Sequence, residues 1–305
     1  MENKFSNINL LNDCTLCPRN CHAYRTGGKK GYCGETDKLV AARAALHMWE
    51  EPCISGTRGS GTVFFCGCSL MCVYCQNRSI SKGTAGKVIS VERLAEIFIE
   101  LQEKGAHNIN LVTPGHYIPQ IIEALSISRS RGLNIPIVYN TGGYEKTETI
   151  KLLDGIVDIF LPDLKYMDES IAKKYSNCPD YFSYASAAIK EMSAQVGEPR
   201  FDADGIMTKG VIVRHMLLPG YLNDSKKIIK YLHDTFGNKI YISIMNQYTP
   251  MKHVAGYPEI NRKVTDEEYD SLIDYAVSIG VENGFIQEGE TQSESFIPEF
   301  DGEGV

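Results

Sequence analysis

Short apolar runs alternate with amphipathic segments along the chain, most regularly from residue 88 onward. The apolar runs are rich in β-branched and aromatic residues and are bounded by turn residues, a pattern that indicates buried strands. The segments between them carry apolar residues at helical spacing, which indicates helices packed on one face. Six strands are predicted in this way, at residues 62–66, 109–113, 136–140, 157–161, 211–217 and 240–245.

The predicted helices carry start and stop signals of their own. Ser90 can cap a helix that ends at Gly105, because a serine hydroxyl accepts from the free amides of a first turn and glycine ends helices readily. Thr265 and Glu268 form a capping box ahead of a helix that ends at Gly280. Strands and helices therefore alternate, which favours a parallel sheet.

The fold class predicted from this alternation is α/β. Six strand-helix units with right-handed crossovers would curl into a partial (β/α)6 TIM-like barrel, whose functional groups lie at the carboxyl ends of the strands. An open doubly wound sheet is the alternative. The segment 168–210 is too long for a simple connection and is predicted to be an insertion, with a helix at 181–196 and a polar hairpin at 202–209.

The cysteines divide the chain unevenly, because nine of the ten lie in its first quarter. We therefore predict a Cys-rich, metal-binding N-terminal extension at residues 1–55, the barrel at 56–288 and an acidic, irregular tail at 289–305.

Composition removes several classes of protein. With 43% apolar and 23% charged residues the chain is too apolar to be disordered, and its net charge of −7 without a basic run argues against nucleic-acid binding. No apolar stretch approaches the roughly 20 residues that span a bilayer, and the signal-peptide pattern is missing, so a cytoplasmic protein without a membrane partner is expected. In a reducing compartment, clustered cysteines more often bind metal than form disulfides.

Three cysteines follow the first predicted strand directly, at Cys68, Cys72 and Cys75. A short loop can converge three thiolates on one metal centre, and three ligands leave one iron of a cubane cluster with an open position. A zinc site and buried free thiols are the alternatives. Cys66 lies two residues before this group and competes for a ligand position, but it falls outside the spacing.

Several further motifs extend along most of the chain. They are Cys14-Thr-Leu-Cys17-Pro, His47-Met-Trp-Glu-Glu-Pro, Cys75-Gln-Asn, Asn108-Ile-Asn-Leu-Val-Thr-Pro, Asp163-Leu-Lys and Arg214-His-Met-Leu-Leu-Pro-Gly. Together with the three-cysteine loop, they make the chain resemble the radical S-adenosylmethionine (SAM) superfamily. Within that superfamily it is similar to the group related to pyruvate formate-lyase activating enzyme.

The resemblance implies a 4Fe-4S cluster on Cys68, Cys72 and Cys75 whose open iron binds SAM. An electron from a flavodoxin-type or ferredoxin-type donor would cleave SAM to methionine and a 5'-deoxyadenosyl radical. The implied function is activation of a glycyl-radical enzyme of the pyruvate formate-lyase type. The alternatives are radical SAM modification of another peptide or small molecule, and a non-catalytic iron-sulfur electron carrier.

The resemblance also implies residues that contact SAM. Tyr74 matches the aromatic position that packs on adenine, with plain core packing as the alternative. Related activating enzymes end the second strand in Gly-Gly-Glu, where this chain has Val112-Thr-Pro-Gly-His116. The expected carboxylate is therefore missing, and backbone carbonyls around Thr113 are expected to accept from the SAM ammonium. His116 is either a general acid or, as favoured here, a solvent-facing loop residue.

Further positions can be compared with the implied SAM site. Asp163 matches an aspartate that helps bind a monovalent cation in related enzymes, whereas Asn140 replaces the acidic partner expected after the third strand. Lys165 matches a lysine that contacts the SAM carboxylate, although an Asp163 to Lys165 ion pair of purely structural role is the alternative. Asn246 and Gln247 are expected to face the ribose.

Arg214 lies between apolar neighbours in the middle of a predicted strand, where an unpaired guanidinium would be costly. It therefore needs an anion, either the SAM carboxylate or a buried aspartate. Lys165 and Arg214 are the candidate catalytic residues.

Four cysteines in the N-terminal extension, Cys14, Cys17, Cys21 and Cys33, would make a closed site. A structural zinc ion and a second, fully ligated iron-sulfur cluster that relays electrons both fit this spacing. Free thiols are the third alternative.

Overall fold

The computed structural model describes residues 10–287 and 298–305. Strands and helices alternate along most of this part of the chain. The strands are β1 (Leu39–His47), β2 (Ser60–Phe65), β3 (Lys87–Ile89), β4 (Ile109–Val112), β5 (Ile137–Thr141), β6 (Ile159–Pro162), β7 (Arg200–Phe201), β8 (Met207–Met216), β9 (Tyr241–Met245) and β10 (Gly284–Ile286).

The helices vary widely in length, from four to 16 residues. Within the described ranges, none combines the length and apolar character that crossing a bilayer requires. They are α1 (Pro52–Ser55), α2 (Arg78–Ser81), α3 (Val91–Glu103), α4 (Ile118–Ser130), α5 (Thr147–Lys151), α6 (Glu169–Ser176), α7 (Tyr181–Val196), α8 (Leu222–Phe236) and α9 (Asp266–Ser278).

The parallel part of the sheet is wound in one direction. Its strands follow the order β2, β4, β5, β6, β8, β9 and β10, so that each lies beside the parallel strand preceding it in the chain. A doubly wound sheet would reverse this order at a switch point, so that alternative is wrong. The predicted partial TIM-like barrel is confirmed, and β10 adds a parallel strand that the sequence pattern did not predict.

The helix signals read from the sequence act as expected. The Ser90 hydroxyl accepts from the Arg93 amide at 3.1 Å, and α3 buries Leu94, Phe98 and Leu101 against the sheet. The predicted insertion contains α7 with the expected bounds, and β7 forms the expected hairpin with β8.

The segment that precedes β2 was not predicted to be part of the barrel. Strand β1 pairs antiparallel with β2, and the chain then turns into the barrel, where Cys53 and Ile54 of α1 are buried. There they pack with Val138, Ile159 and Ile212. These apolar contacts fill the barrel near the start of its strands, so the loops at the carboxyl ends are free to form a cavity.

The predicted irregular tail falls largely outside the described residues. Its last eight residues, 298–305, contain no helix or strand but lie along β1. The Ala44 amide donates to the Glu303 carbonyl at 2.8 Å, and the Gly302 amide donates to Ala42 at 3.0 Å. Phe300 packs edge-on against Phe64.

The capping box of α9 allows a direct test of the local signal. The Thr265 hydroxyl accepts from the Glu268 amide at 3.2 Å, and the Glu268 carboxylate accepts from the Thr265 amide at 3.1 Å. Thr265→Ala should lower the free energy of unfolding by about 1 kcal/mol, because it leaves a first-turn amide without a partner. Urea unfolding measures this, and Thr265→Ser should behave like the wild type. Equal stability of all three proteins would contradict the prediction.

Candidate active site

A cavity of about 290 Å³ opens at the carboxyl ends of the parallel strands. Its lining is mostly polar, and it combines cysteines of the loop after β2 with side chains from the other strands. The lining residues include Glu50, Cys72, Tyr74, Cys75, Asn140, Asp163, Lys165, Arg214 and Gln247.

The three-cysteine loop lies at the edge of this cavity and is held by its own hydrogen bonds. The Leu70 amide donates to the Cys68 thiol at 3.4 Å, and the Cys75 amide donates to the Cys72 carbonyl at 3.1 Å. Ser176 Oγ, at the end of α6, donates to Cys72 Sγ at 3.0 Å. Cys68, Cys72 and Cys75 all line one continuous space.

These thiols suit an iron-sulfur cluster in number and type. Burial raises the pKa of Cys75 to about 12, and the neighbouring Cys72 and Cys68 add to that rise. Buried thiols of this kind become thiolates when a metal binds them. Three such ligands leave one iron of a cubane cluster open. In the described chain no three acidic, cysteine or histidine side chains already stand in coordination geometry.

Cys66 is directed away from this loop. Its thiol donates to the Ala85 carbonyl at 2.9 Å, and it packs with Ala42 and Ile80. The sequence-based preference for Cys68, Cys72 and Cys75 over Cys66 is therefore consistent with the structure.

A buried ion network forms the wall of the cavity opposite the loop. Arg214 Nε donates to Asp163 Oδ1 at 2.9 Å, and its Nη2 donates to Asn140 Oδ1 at 2.6 Å. Its Nη1 lies 3.2 Å from Glu50 Oε2. Lys165 Nζ bonds the second oxygen of Asp163 at 2.5 Å. The buried aspartate, one of the two anions considered for Arg214, is bonded to it.

The protonation of this network follows from burial and charge. Burial alone would raise the pKa of Asp163, but Arg214 and Lys165 outweigh burial and hold that pKa below its ordinary value. Glu50 is different, because burial raises its pKa in spite of Arg214. Asp163 is therefore the firmly charged carboxylate of the site.

Glu50 was not assigned a role from the sequence. It lies in the motif His47-Met-Trp-Glu-Glu-Pro, on the segment that enters the barrel between β1 and α1. Asn140 Nδ2 donates to its other oxygen at 3.3 Å. The sequence did offer a signal for a functional residue here, because two adjacent carboxylates stand before a proline and beside an apolar run. Short-range pattern, however, gives no reason to place these two carboxylates inside a barrel.

Tyr74 belongs to the three-cysteine loop, directly before Cys75, and its side chain is buried, with 4% of the residue exposed. Its hydroxyl is 2.5 Å from that of Tyr166, and its ring meets Tyr166, Tyr175 and Tyr248 edge-on. It also borders the cavity, so core packing and ligand contact are compatible at this position.

Of the two residues predicted to face the ribose, Gln247 lines the cavity and Asn246 is buried next to it. Gln247 borders the cavity, and its carbonyl accepts from Gln76 Nε2 at 2.8 Å. Asn246 is buried beside it, and its amide donates to Gln287 Oε1 at 2.8 Å.

The end of β4 has an unusual backbone and an unexpected neighbour. Thr113 adopts a left-handed conformation with φ of +57°, and its amide donates to the Asn140 carbonyl at 2.8 Å. Glu145, buried in the loop after β5, lies so close to Gly115 that a Cβ there would meet its carboxylate at 2.7 Å. A carboxylate is thus present beside β4, although it comes from another strand.

His116 is not exposed to solvent, so the favoured interpretation from the sequence is wrong. Its ring nitrogen lies 2.6 Å from the Cys66 carbonyl, and burial lowers its pKa to about 3. The residue is a neutral, hydrogen-bonded part of the core.

The N-terminal cysteine block adjoins the loop of Cys68. The Cys68 amide donates to the Cys33 carbonyl at 3.2 Å, and Cys17 borders the same space as the thiols of the loop. Cys14 and Cys33 are buried. The thiols of Cys21 and Cys33 lie 3.4 and 3.3 Å from the position that a Cβ of Gly31 would occupy, so they approach one another.

Comparison with known proteins gives the family. The Radical SAM superfamily matches residues 62–232, which is more than half of the chain, so the protein belongs to the radical SAM superfamily. Membership implies a 4Fe-4S cluster and SAM as cofactors. The chain is also 28% identical over 276 residues to the uncharacterized protein MJ0674 of Methanocaldococcus jannaschii, an alignment that covers 88% of this chain and 75% of that protein.

Solved structures share the fold at low sequence identity. HydG, a maturase of the [FeFe]-hydrogenase, matches 84% of this chain and 53% of its own at 13% identity, with a TM-score of 0.51. SuiB of Streptococcus suis, solved bound to S-adenosylmethionine, matches 73% of this chain and 49% of its own at 17% identity, with a TM-score of 0.48. The chain therefore spans about half the length of each of these two solved chains.

Glu145 should make stability depend on pH. Burial raises its pKa to about 7, although Thr141 and Tyr139 donate hydrogen bonds to it. In the unfolded chain its pKa is lower, so the stability present at pH 4 is lost as the pH rises through 7, by about 3 kcal/mol. Glu145→Gln should abolish most of that loss in urea unfolding between pH 5 and pH 8.

The exposed Glu148, three residues away, provides a matched control. Glu148→Gln should leave the pH dependence of the wild type intact. If Glu145→Gln and the wild type lost stability in parallel, the carboxylate would not be buried in the way described.

Proposed function

We propose that the protein cleaves SAM reductively at a 4Fe-4S cluster on Cys68, Cys72 and Cys75 and uses the product to install a glycyl radical on a partner enzyme of the pyruvate formate-lyase type. The observation that carries the cleavage step is that three thiols and the network of Asp163, Lys165 and Arg214 border one cavity. The partner class rests on the motifs shared with the activating-enzyme group.

When bound, the cluster and SAM supply one-electron cleavage of the sulfonium and thereby a species that abstracts hydrogen. The protein supplies ligands, orientation and exclusion of water. Lys165, which already bonds Asp163 at 2.5 Å, is proposed to contact the SAM carboxylate. Tyr74 is proposed to pack on adenine, because it borders the cavity next to Cys75.

The SAM ammonium is assigned to the end of β4. The carbonyl of Thr113 is one proposed acceptor, and its left-handed backbone is the kind of strain that structures retain at binding sites. The Glu145 carboxylate beside Gly115 is the other proposed acceptor, in place of the carboxylate that the motif lacks. Its charge at neutral pH would be favoured by a bound ammonium.

Arg214 is proposed to take the part that a monovalent cation plays in related activating enzymes. Its guanidinium lies between Asp163 and Asn140 and bonds both. Because Asn140 replaces the second carboxylate of related enzymes, this position carries no negative charge. The guanidinium of Arg214 then balances the charge of the remaining carboxylate, Asp163. Asn140 and Asp163 thus bind the arginine, and the arginine orients Asp163 toward Lys165.

The remaining assignments concern organisation and partners. Residues 1–55 are proposed as a Cys-rich extension, 56–288 as the barrel and 289–305 as a tail. A flavodoxin-type or ferredoxin-type protein is proposed as the electron donor. A second metal site, holding either zinc or an iron-sulfur cluster, is proposed on Cys14, Cys17, Cys21 and Cys33.

Substitution within the three-cysteine loop tests the cleavage step. Cys72→Ser should lose the iron-sulfur absorbance and form no 5'-deoxyadenosine when anaerobically reconstituted protein is reduced with SAM, while circular dichroism stays that of the wild type. Cys178→Ser provides the control, because Cys178 is buried outside the loop and should leave turnover intact. Normal turnover by Cys72→Ser would refute the ligand assignment.

The partner class has its own test. Incubation of the reduced, SAM-loaded protein with candidate glycyl-radical enzymes should produce a glycyl radical signal in electron paramagnetic resonance. The signal should be absent with Cys72→Ser. Formation of 5'-deoxyadenosine coupled to modification of another peptide or a small molecule, with no glycyl radical in any candidate, would contradict the partner class and leave the cleavage step standing.

A further inference from the structure

Arg25 is a fully buried arginine in the N-terminal block, with no solvent-exposed surface. Its Nε and Nη2 donate to the Thr36 carbonyl at 3.1 and 2.7 Å. Its Nη1 donates to the His116 carbonyl at 2.7 Å and lies 3.7 Å from Cys14 Sγ. The guanidinium therefore joins the N-terminal block to the barrel.

In the part of the chain that the structure describes, the ion pairs do not include Arg25. Glu35, a buried carboxyl group close enough to interact electrostatically with Arg25, forms no ion pair with it and packs against Gly67 and Gly83, where a Cβ would overlap it. Carbonyl oxygens stabilise a guanidinium only in part, since they carry no net charge. A buried arginine without an anion is costly, so a negative charge is expected beside it.

Apart from the more distant Glu35, the groups near Arg25 that can supply this charge are thiols. Cys14 Sγ is in contact with the guanidinium. The Cys21 and Cys33 thiols approach the same face of Gly31 that the Arg25 Cδ approaches at 3.8 Å.

We infer that Arg25 is the buried counter-charge of a metal centre held by four thiolates, those of Cys14, Cys17, Cys21 and Cys33. Four thiolates around Zn²⁺ or around a cubane cluster leave the centre with a net negative charge, whereas four protonated thiols carry none. Arg25 is a positioning residue, because it stabilises this negative charge through space and ties its surroundings to Thr36 and His116. The inference goes beyond the proposed function and does not depend on SAM cleavage.

This centre adjoins the loop of Cys68, Cys72 and Cys75. The Cys33 carbonyl accepts from the Cys68 amide, and a Cβ on the intervening Gly67, whose φ is +84°, would lie 2.8 Å from that carbonyl. Only glycine permits this approach of two backbones. With iron and sulfide the centre would pass electrons across this contact; with zinc it would hold the loop in place.

Metal analysis of the full-length chain tests whether the centre exists. A variant with Cys68→Ala, Cys72→Ala and Cys75→Ala removes the SAM cluster, so that any metal retained belongs elsewhere. Mass spectrometry and sulfide analysis of this variant should find either one zinc ion or a complement of iron and sulfide per chain, and adding Cys17→Ser should remove it. Either metal supports the inference, and absence of both after reconstitution overturns it.

The role of Arg25 needs variants that separate charge from anchoring. Arg25→Met should speed loss of the metal to a chelator about 10-fold to 100-fold, a size typical of residues that support metal ligands. Arg25→Lys keeps the charge and should retain the metal far better than Arg25→Met, and this comparison stands even if the methionine variant folds poorly.

Arg19 provides the matched control. Its guanidinium also bonds three backbone carbonyls, those of Ser69, Ser176 and Asn177, and these bonds anchor the same block without a thiol. Arg19→Met should therefore retain the metal, with circular dichroism used to verify folding. Equal loss from Arg19→Met and Arg25→Met, or unchanged retention in Arg25→Met, would overturn the assignment of Arg25 as a counter-charge.

Discussion

The buried guanidinium of Arg214 determines how the centre of the barrel is assembled. It projects from β8 and bonds Asp163 after β6, Asn140 of β5 and Glu50 of the segment that enters the barrel. A buried cation must be surrounded by anions and acceptors, and here those groups come from three separate parts of the chain. Their convergence also places Lys165 at the cavity, because Lys165 shares Asp163 with the arginine. The polar wall of the cavity is thus a consequence of satisfying one charge.

The position of the loop of Cys68, Cys72 and Cys75 depends largely on backbone hydrogen bonds. The loop of Cys68 is held from above by the Cys33 carbonyl and from the side by α6, where the Val73 amide donates to the Tyr175 carbonyl at 2.8 Å. Arg19 joins the same parts by bonding Ser69 and the end of α6. A cluster ligand must be positioned to within a fraction of an ångström to be useful. The N-terminal block therefore belongs to the support of the candidate site, although it lies outside the barrel strands.

Local pattern predicted the parts of this structure that depend on neighbouring residues. The six central strands, the start of α3 at Ser90 and the capping box of α9 all follow from short-range periodicity and hydrogen bonding. Arg214 could be recognised as needing an anion, but Glu50 could not be named, because it lies 164 residues away in sequence. His116 was assigned to solvent for a related reason. Nothing adjacent to it in sequence reveals that the Cys66 carbonyl is its partner.

The two groups of cysteines differ in how nearby positive charge is balanced. Asp163 and, less strongly, Cys72 raise the pKa of Lys165 against its burial, and the charge of Lys165 is already paired with Asp163. A cluster at that loop can therefore change its charge without leaving a buried cation unpaired. In the described chain Arg25 forms no ion pair, since Glu35 interacts with it only at longer range, and Cys14 Sγ is in contact with its guanidinium. The stability of the N-terminal block therefore depends on negative charge at its cysteines. This dependence favours a metal centre whose thiolates stay ionised.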